Sequence, residues 1–149
     1  MSWEAAAAQK RGGRTNHLKP YAHWSLGNRI PLPSQKNIIL LVHARLTDRG
    51  RSFLASYVTD LVSPLATREY TAIEVTTAFC KATYAAQELT NCITEVIFDQ
   101  ALARARELDE YLSKTGQVIG PLHGVPVSIK DRISVKGEDS ACGYVAWAG

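Results

Sequence analysis

The chain has 149 residues, 46% hydrophobic and 21% charged, enough for one domain with a core and unlike the composition of a disordered or fibrous chain. Its formal charge of +3 is unevenly spread: residues 1–51 hold nine Lys/Arg against two acids, and the remainder holds eight against twelve. The basic residues of the head, such as Arg11, Arg14 and Lys19, form no dense block and few aromatics interleave with them, which argues for a loosely ordered basic tail rather than a nucleic-acid surface.

In chain order, residues 2–10 predict a short helix, with Glu4 early and Ala5 to Ala8 as strong helix formers, ended by Gly12-Gly13. From there to Ser34, glycine, asparagine, histidine and proline fall without a period and predict an extended or poorly ordered segment. The apolar run at residues 38–42 (IILLV) suits either a buried strand or the start of a helix. Phe53, Leu54, Tyr57, Val58 and Leu61 follow helical spacing and predict a short amphipathic helix closed by Ser63-Pro64. Thr71 and Glu74 form a capping box, and Val75, Phe79, Ala82, Ala86 and Leu89 carry an apolar stripe to about Thr90. Cys80 lies on a neighbouring line of that helix as a small buried thiol. Residues 92–98 (CITEVIF) are rich in β-branched side chains and predict a short strand. Asp99 then caps a helix on which Ala101, Ala105, Leu108 and Leu112 keep helical spacing, with Arg106 and Glu110 on its wet face. Lys114 suits the last turn, and Gly116 stops it.

The richest stretch is residues 120–143, GPLHGVPVSIKDRISVKGEDSACG. Gly-Pro and Val-Pro discourage helix, and Val127 and Ile129 alternate with polar residues, so residues 127–131 predict a strand that ends near Lys130. Helix and strand in succession predict an α/β domain. In such folds ligand sites gather at the carboxyl ends of strands, which makes Lys130 the first candidate for chemistry.

Other candidates are weaker. His17, His23, His43 and His123 lie in different segments without ligand spacing, so no metal is expected. A Cys142 and His123 pair would need a particular fold to meet. The glycines at 116, 120 and 124 open no helix as a phosphate-binding loop would, so nucleotide binding has little support. Cys80, Cys92 and Cys142 are odd in number, lack CxxC spacing and follow no hydrophobic secretory segment, which suits a reducing, cytoplasmic setting. The longest apolar run has five residues, against roughly 20 for a membrane helix, so no membrane partner is expected. Nothing in the sequence specifies an oligomeric state.

Three stretches, TAIEVTTAFC, LTNCITEVIFDQALARARELDEYL and GPLHGVPVSIKD with VKGEDS and the following Gly-Tyr, closely resemble the amidase signature family, in particular its fungal acetamidase and general amidase members. The resemblance implies a mixed β-sheet covered by helices, and hydrolysis of a small linear carboxamide to acid and ammonia by a serine, cis-serine, lysine triad with no organic cofactor. Lys130 matches the lysine, which takes a proton from the cis-serine and so activates the serine nucleophile. A lysine in that role must be neutral, whereas a free one has a pKa of about 10.4, so burial and hydrogen bonds have to lower it. Asp131, beside the lysine, matches a residue that positions the strand end, and Gly124 and Gly137 match the supporting loops.

The family's serines and oxyanion hole lie downstream of the lysine. No GSSGG-like run occurs in this chain, and Ser128, Ser134 and Ser140 do not match the catalytic serines. The expectation is therefore an amidase domain at residues 63–149, truncated before the serines and inactive alone, preceded by a divergent head at residues 1–62. The other reading is a non-catalytic product, degenerate or mis-predicted, or an interaction piece. SWEAAAAQKR and IPLPSQKNI resemble the opening of fungal amidases, while residues 12–28 and 39–62 do not, as a shifted reading frame or misplaced exon boundary would produce. Asp139-Ser140-Ala141 also departs from the family's Asp-Thr-Thr or Asp-Ser-Thr and lacks its last hydroxyl.

Overall fold

The structure is a computed structural model that describes residues 2–28, 31 and 35–148. Ile30 and residues 32–34 of the IPLPSQKNI segment lie outside the described residues. Six α-helices follow in order among the described residues: α1 (Trp3–Leu18), α2 (Ile39–His43), α3 (Asp48–Ala55), α4 (Val58–Ala66), α5 (Ala72–Thr90) and α6 (Phe98–Thr115). Two 3-10 turns, Lys19–Trp24 and Val145–Trp147, complete the regular structure there.

The central element is α5, which contacts α6, α3, α2 and the Lys19–Trp24 turn. Its start is fixed by the capping box read from the sequence: the Glu74 amide donates to Thr71 Oγ1 at 3.2 Å, and the Thr71 amide donates to Glu74 Oε2 at 3.1 Å. Two further orphan amides, of Ala72 and Ile73, donate to the Asp109 carboxylate on α6 at 2.7 and 3.0 Å. That carboxylate answers both the unmet donors and the positive end of the helix dipole, and it pins α6 to α5. Asn91 in left-handed conformation ends α5, and Gly116 (φ +68°) ends α6.

Two apolar clusters form the core. Phe53, Leu61, Leu65, Ala72, Val75, Ala78 and Ala105 join α3, α4, α5 and α6. Trp24, Cys80, Tyr84, Val96, Phe98 and Leu102 join the head to the other face of α5. At about 1.5–3 kcal/mol for each large side chain buried, the second cluster explains why the head is held. It also explains a difference from the sequence reading. Gly12-Gly13 does not end α1, which runs on to Leu18; each glycine costs about 1 kcal/mol in a helix, but Leu18, Tyr21 and Trp24 bring the chain onto the core. The boundary expected at residue 62 falls inside α4.

Of the two readings open for residues 38–42 the helix holds: Ile39–His43 form α2 with Ile38 as its N-cap, and Ile39 and Leu40 are exposed. The helix expected around Phe53 to Leu61 is two helices, separated where Ser56 takes an extended backbone, and Pro64 lies inside α4 rather than closing it. Phe98 rather than Asp99 begins α6, while Arg106 and Glu110 lie on its exposed face as expected, Glu110 pairing with Lys114. Most consequentially, residues 92–98 and 127–131 are not strands, and the described residues contain no strand at all. The β-branched alternation is present, but a strand exists only through a ladder partner, and no described segment supplies one. No part of the mixed sheet expected of an α/β fold is seen among the described residues, which build a helical unit with extended segments.

Candidate active site

The path to Lys130 begins at the end of α6. His123 is buried, its Nδ1 accepting the Ile119 amide at 3.2 Å, and its Nε2 is buried without a hydrogen-bond partner. Gly124 follows with φ +78°, and a Cβ there would lie 3.0 Å from both Ala72 Cβ and Leu65 Cδ2. Only glycine combines that backbone with so close an approach. Val125 packs against the first core cluster, and the chain then leaves the core. Val127 is 70% and Ile129 50% exposed.

Lys130 is exposed, and its Nζ has no hydrogen bond or ion pair among the described residues. Its carbonyl accepts the Ile133 amide at 2.9 Å, which turns the chain. Asp131 is half-buried, and its carbonyl accepts a short hydrogen bond from Ser140 Oγ. That bond closes residues 131–140 into a loop, so the Asp-Ser pair retained at 139–140 has a local use. Gly137 (φ +90°) forms the loop's tip; a methyl added there would meet nothing within 4 Å, and its need for glycine is backbone conformation alone. Gln100 Nε2 on α6 donates to Glu138 Oε1 at 2.7 Å.

The head reaches the same loop. Lys10 Nζ on α1 lies 2.5 Å from Glu95 Oε1 and 2.6 Å from Asp139 Oδ2. Burial of this ammonium lowers its pKa, but hydrogen bonds to Asp139 and Glu95 outweigh that and raise it above the ordinary lysine value. Arg14 donates to the Ile93 carbonyl at 2.9 Å. Between these groups and Asp131, Tyr144 and Val145 lies a cavity of about 190 Å³.

Lys130, Asp131, Gly124 and Gly137 therefore share one excursion of chain, anchored at Val125 and closed at Ser140. No hydrogen bond links Cys142 with His123 among the described residues; the thiol is exposed and the imidazole buried. Lys10, Glu95 and Gln100 escaped the sequence reading because their partners lie 38 to 129 positions away, beyond any local spacing rule. Asp109, 37 positions from the amide it caps, escaped for the same reason.

The family model for amidases matches residues 74–149. The chain belongs to the amidase family. It is 40% identical over 153 residues to the acetamidase of Emericella nidulans, covering 99% of this chain and 26% of that protein. An amidase of Gibberella moniliformis is 40% identical over 152 residues, covering 97% and 28% respectively. Both alignments run through the head as well as the body. Among solved structures, fatty acid amide hydrolase superposes with a TM-score of 0.81 at 27% identity, over 99% of this chain and 26% of that one. The chain spans about a quarter of the length of these relatives. Among the described residues, no helix is long and apolar enough to cross a membrane.

Proposed function

We propose that this sequence contributes the lysine of an amidase-type active site, and that the 149-residue chain alone does not hydrolyse amides. The observation that carries the reading is that the amidase match runs through the segment holding Lys130 and Asp131. In the proposed reaction a serine oxygen attacks the carbonyl of a small linear carboxamide. The cis-serine takes the nucleophile's proton and passes its own to neutral Lys130. The proton returns from Lys130 through the cis-serine to the amide nitrogen, which leaves as ammonia, and water then releases the acid from the acyl-enzyme. The chain carries no GSSGG-like run to supply the serines and the oxyanion hole, and removing even one oxyanion donor costs about 100- to 1000-fold in such reactions.

The exposure of Lys130 and of Val127 and Ile129 supports this incompleteness. A lysine base must be desolvated to lose its proton near neutral pH. In the proposal, residues 127–131 become a strand of the mixed sheet when the serine-bearing portion of an amidase pairs with them, and the same pairing buries Lys130. The site needs no metal or organic cofactor, and the setting is cytoplasmic, in keeping with three free thiols; fractionation of cells that express a tagged chain checks the location.

Two preparations test the function. The purified chain should release no ammonia from acetamide or benzamide. A chimera joining it to the remaining three-quarters of the Emericella nidulans acetamidase should release ammonia, and Lys130→Ala should reduce that release by about 100- to 10,000-fold, as expected for a lost proton-transfer group. An active 149-residue chain, or an active Lys130→Ala chimera, would refute the proposal.

A second reading is favoured by one observation. Ile133, Tyr144 and Trp147 are exposed as Val127 and Ile129 are, apolar surface of the kind an interaction piece would present to another chain without catalysis. A chimera that folds and stays inactive with Lys130 intact would favour it.

A further inference from the structure

The ammonium of Lys10 joins three parts of the chain that are remote in sequence: α1, the connection between α5 and α6 through Glu95, and the loop after Lys130 through Asp139. Its side chain is 36% exposed, and those of Glu95 and Asp139 are 24% and 27% exposed, so all three groups are shielded from the full screening of water. The loop has its own closure in the Ser140 hydrogen bond to the Asp131 carbonyl, which joins the two ends of residues 131–140. The Gln100 bond to Glu138 ties that loop to α6, and the Lys10 bridge ties it to α1. Contacts between α1 and the Val145–Trp147 turn hold the far side.

We propose that Lys10 is a positioning residue for Lys130: its bridge to Glu95 and Asp139 fixes the loop of residues 131–140, and through the Asp131 carbonyl fixes the direction in which Lys130 leaves the chain. The catalytic importance of that direction rests on the reading of Lys130 as the base, but the bridge itself does not. The basic head thereby has a specific task in place of a general electrostatic one. Arg14 strengthens it by holding the Ile93 carbonyl at 2.9 Å, two residues from Glu95.

The test uses the 149-residue chain and reads loop geometry instead of turnover, so it fails independently of the triad assignment. Lys10→Met should raise amide hydrogen exchange across residues 131–141 by about three- to tenfold, the loss expected of two partly shielded ion pairs, while α5 and α6 keep their protection. The side-chain NMR signal of Lys130, assigned with Lys130→Arg, should shift in Lys10→Met and return in Lys10→Arg. Combining Lys10→Met with Asp139→Asn should produce less than the sum of the two single effects, because both remove the same bridge. Unchanged exchange in residues 131–141 would overturn the proposal. So would additive effects, or a rise spread evenly over α5 and α6, which would make Lys10 a support of the whole unit.

Discussion

Replacing Gly124 by alanine probes the point at which the chain leaves the core towards Lys130. Two costs combine there. At φ +78° an L-residue pays about 1–2 kcal/mol for left-handed backbone. The added methyl would also lie 3.0 Å from Ala72 Cβ and Leu65 Cδ2, and both neighbours are only 1% exposed, so neither can swing into solvent. Overpacking of this kind costs about 1–3 kcal/mol. The sum, about 2–5 kcal/mol, is a large part of the 5–15 kcal/mol by which domains are stable, and at roughly 2–4 °C per kcal/mol it lowers the melting temperature by about 4–20 °C. Gly137→Ala is the control, because its φ of +90° carries the backbone cost while nothing lies within 4 Å of the new methyl. Thermal and urea melts of the two variants, followed by circular dichroism, should separate them by about 1–3 kcal/mol. Equal destabilisation would refute the close approach of Gly124 to α4 and α5.

Three further outcomes are expected. Asp109→Ala removes the acceptor for the Ala72 and Ile73 amides and should cost about 1–2 kcal/mol, the usual range for a lost cap, in a urea melt; a change below about 0.3 kcal/mol would contradict the cap. Burial pushes the Cys80 thiol up to about 12, while Cys92 and Cys142 are exposed, so a thiol reagent at pH 8 should modify two cysteines in the folded chain and the third only after unfolding. The backbone hydrogen bond from Thr71 holds the Glu74 carboxyl below the ordinary carboxylate range, aided against desolvation by the Thr71 hydroxyl and Arg49. Because the folded value is the lower one, the stability it contributes is present above the unfolded value and lost as pH falls through the folded one. The melting difference between the unaltered chain and Glu74→Gln should therefore shrink on acidification below about pH 4.5, the range of free carboxylates; a difference that grows there would reverse the assigned sign.

How much of this was legible in the sequence depended on whether a feature is completed locally. The Thr71 and Glu74 box, the Gly116 stop and the burial of Cys80 each involve residues within one or two turns, and each is found in place. Residues 92–98 also have strand composition, yet 92–97 are irregular and Phe98 opens α6: the Ile93 amide donates to Gln87 Oε1 at 2.7 Å and its carbonyl accepts from Arg14, so side chains satisfy the backbone where a ladder would. The unbroken course of α1 through Gly12-Gly13 likewise depends on Trp24 meeting Tyr84 and Phe98, contacts across 60 and 74 positions of sequence. Of the candidate site, Lys130, Asp131, Gly124 and Gly137 were readable as a motif, while Lys10 was one basic residue among nine in the head.

The same contrast bears on what residues 127–131 require. Their alternation of apolar and polar side chains is written for a two-sided environment, and leaving Val127 at 70% and Ile129 at 50% exposure forgoes about 1.5–3 kcal/mol for each side chain if fully buried. Desolvating an ammonium such as that of Lys130 runs the other way, since it costs free energy unless the proton is lost or hydrogen-bond partners compensate. In a strand Val127 and Ile129 share one face and Lys130 takes the other, so a partner has to cover both faces, and the gain from the two aliphatic side chains would offset the cost of drying the lysine. In that arrangement the strand-forming residues supply the driving force for the burial on which a lysine base depends. The sequence that first suggests a strand and the chemistry that first suggests a base are then one requirement, met only when a partner covers both.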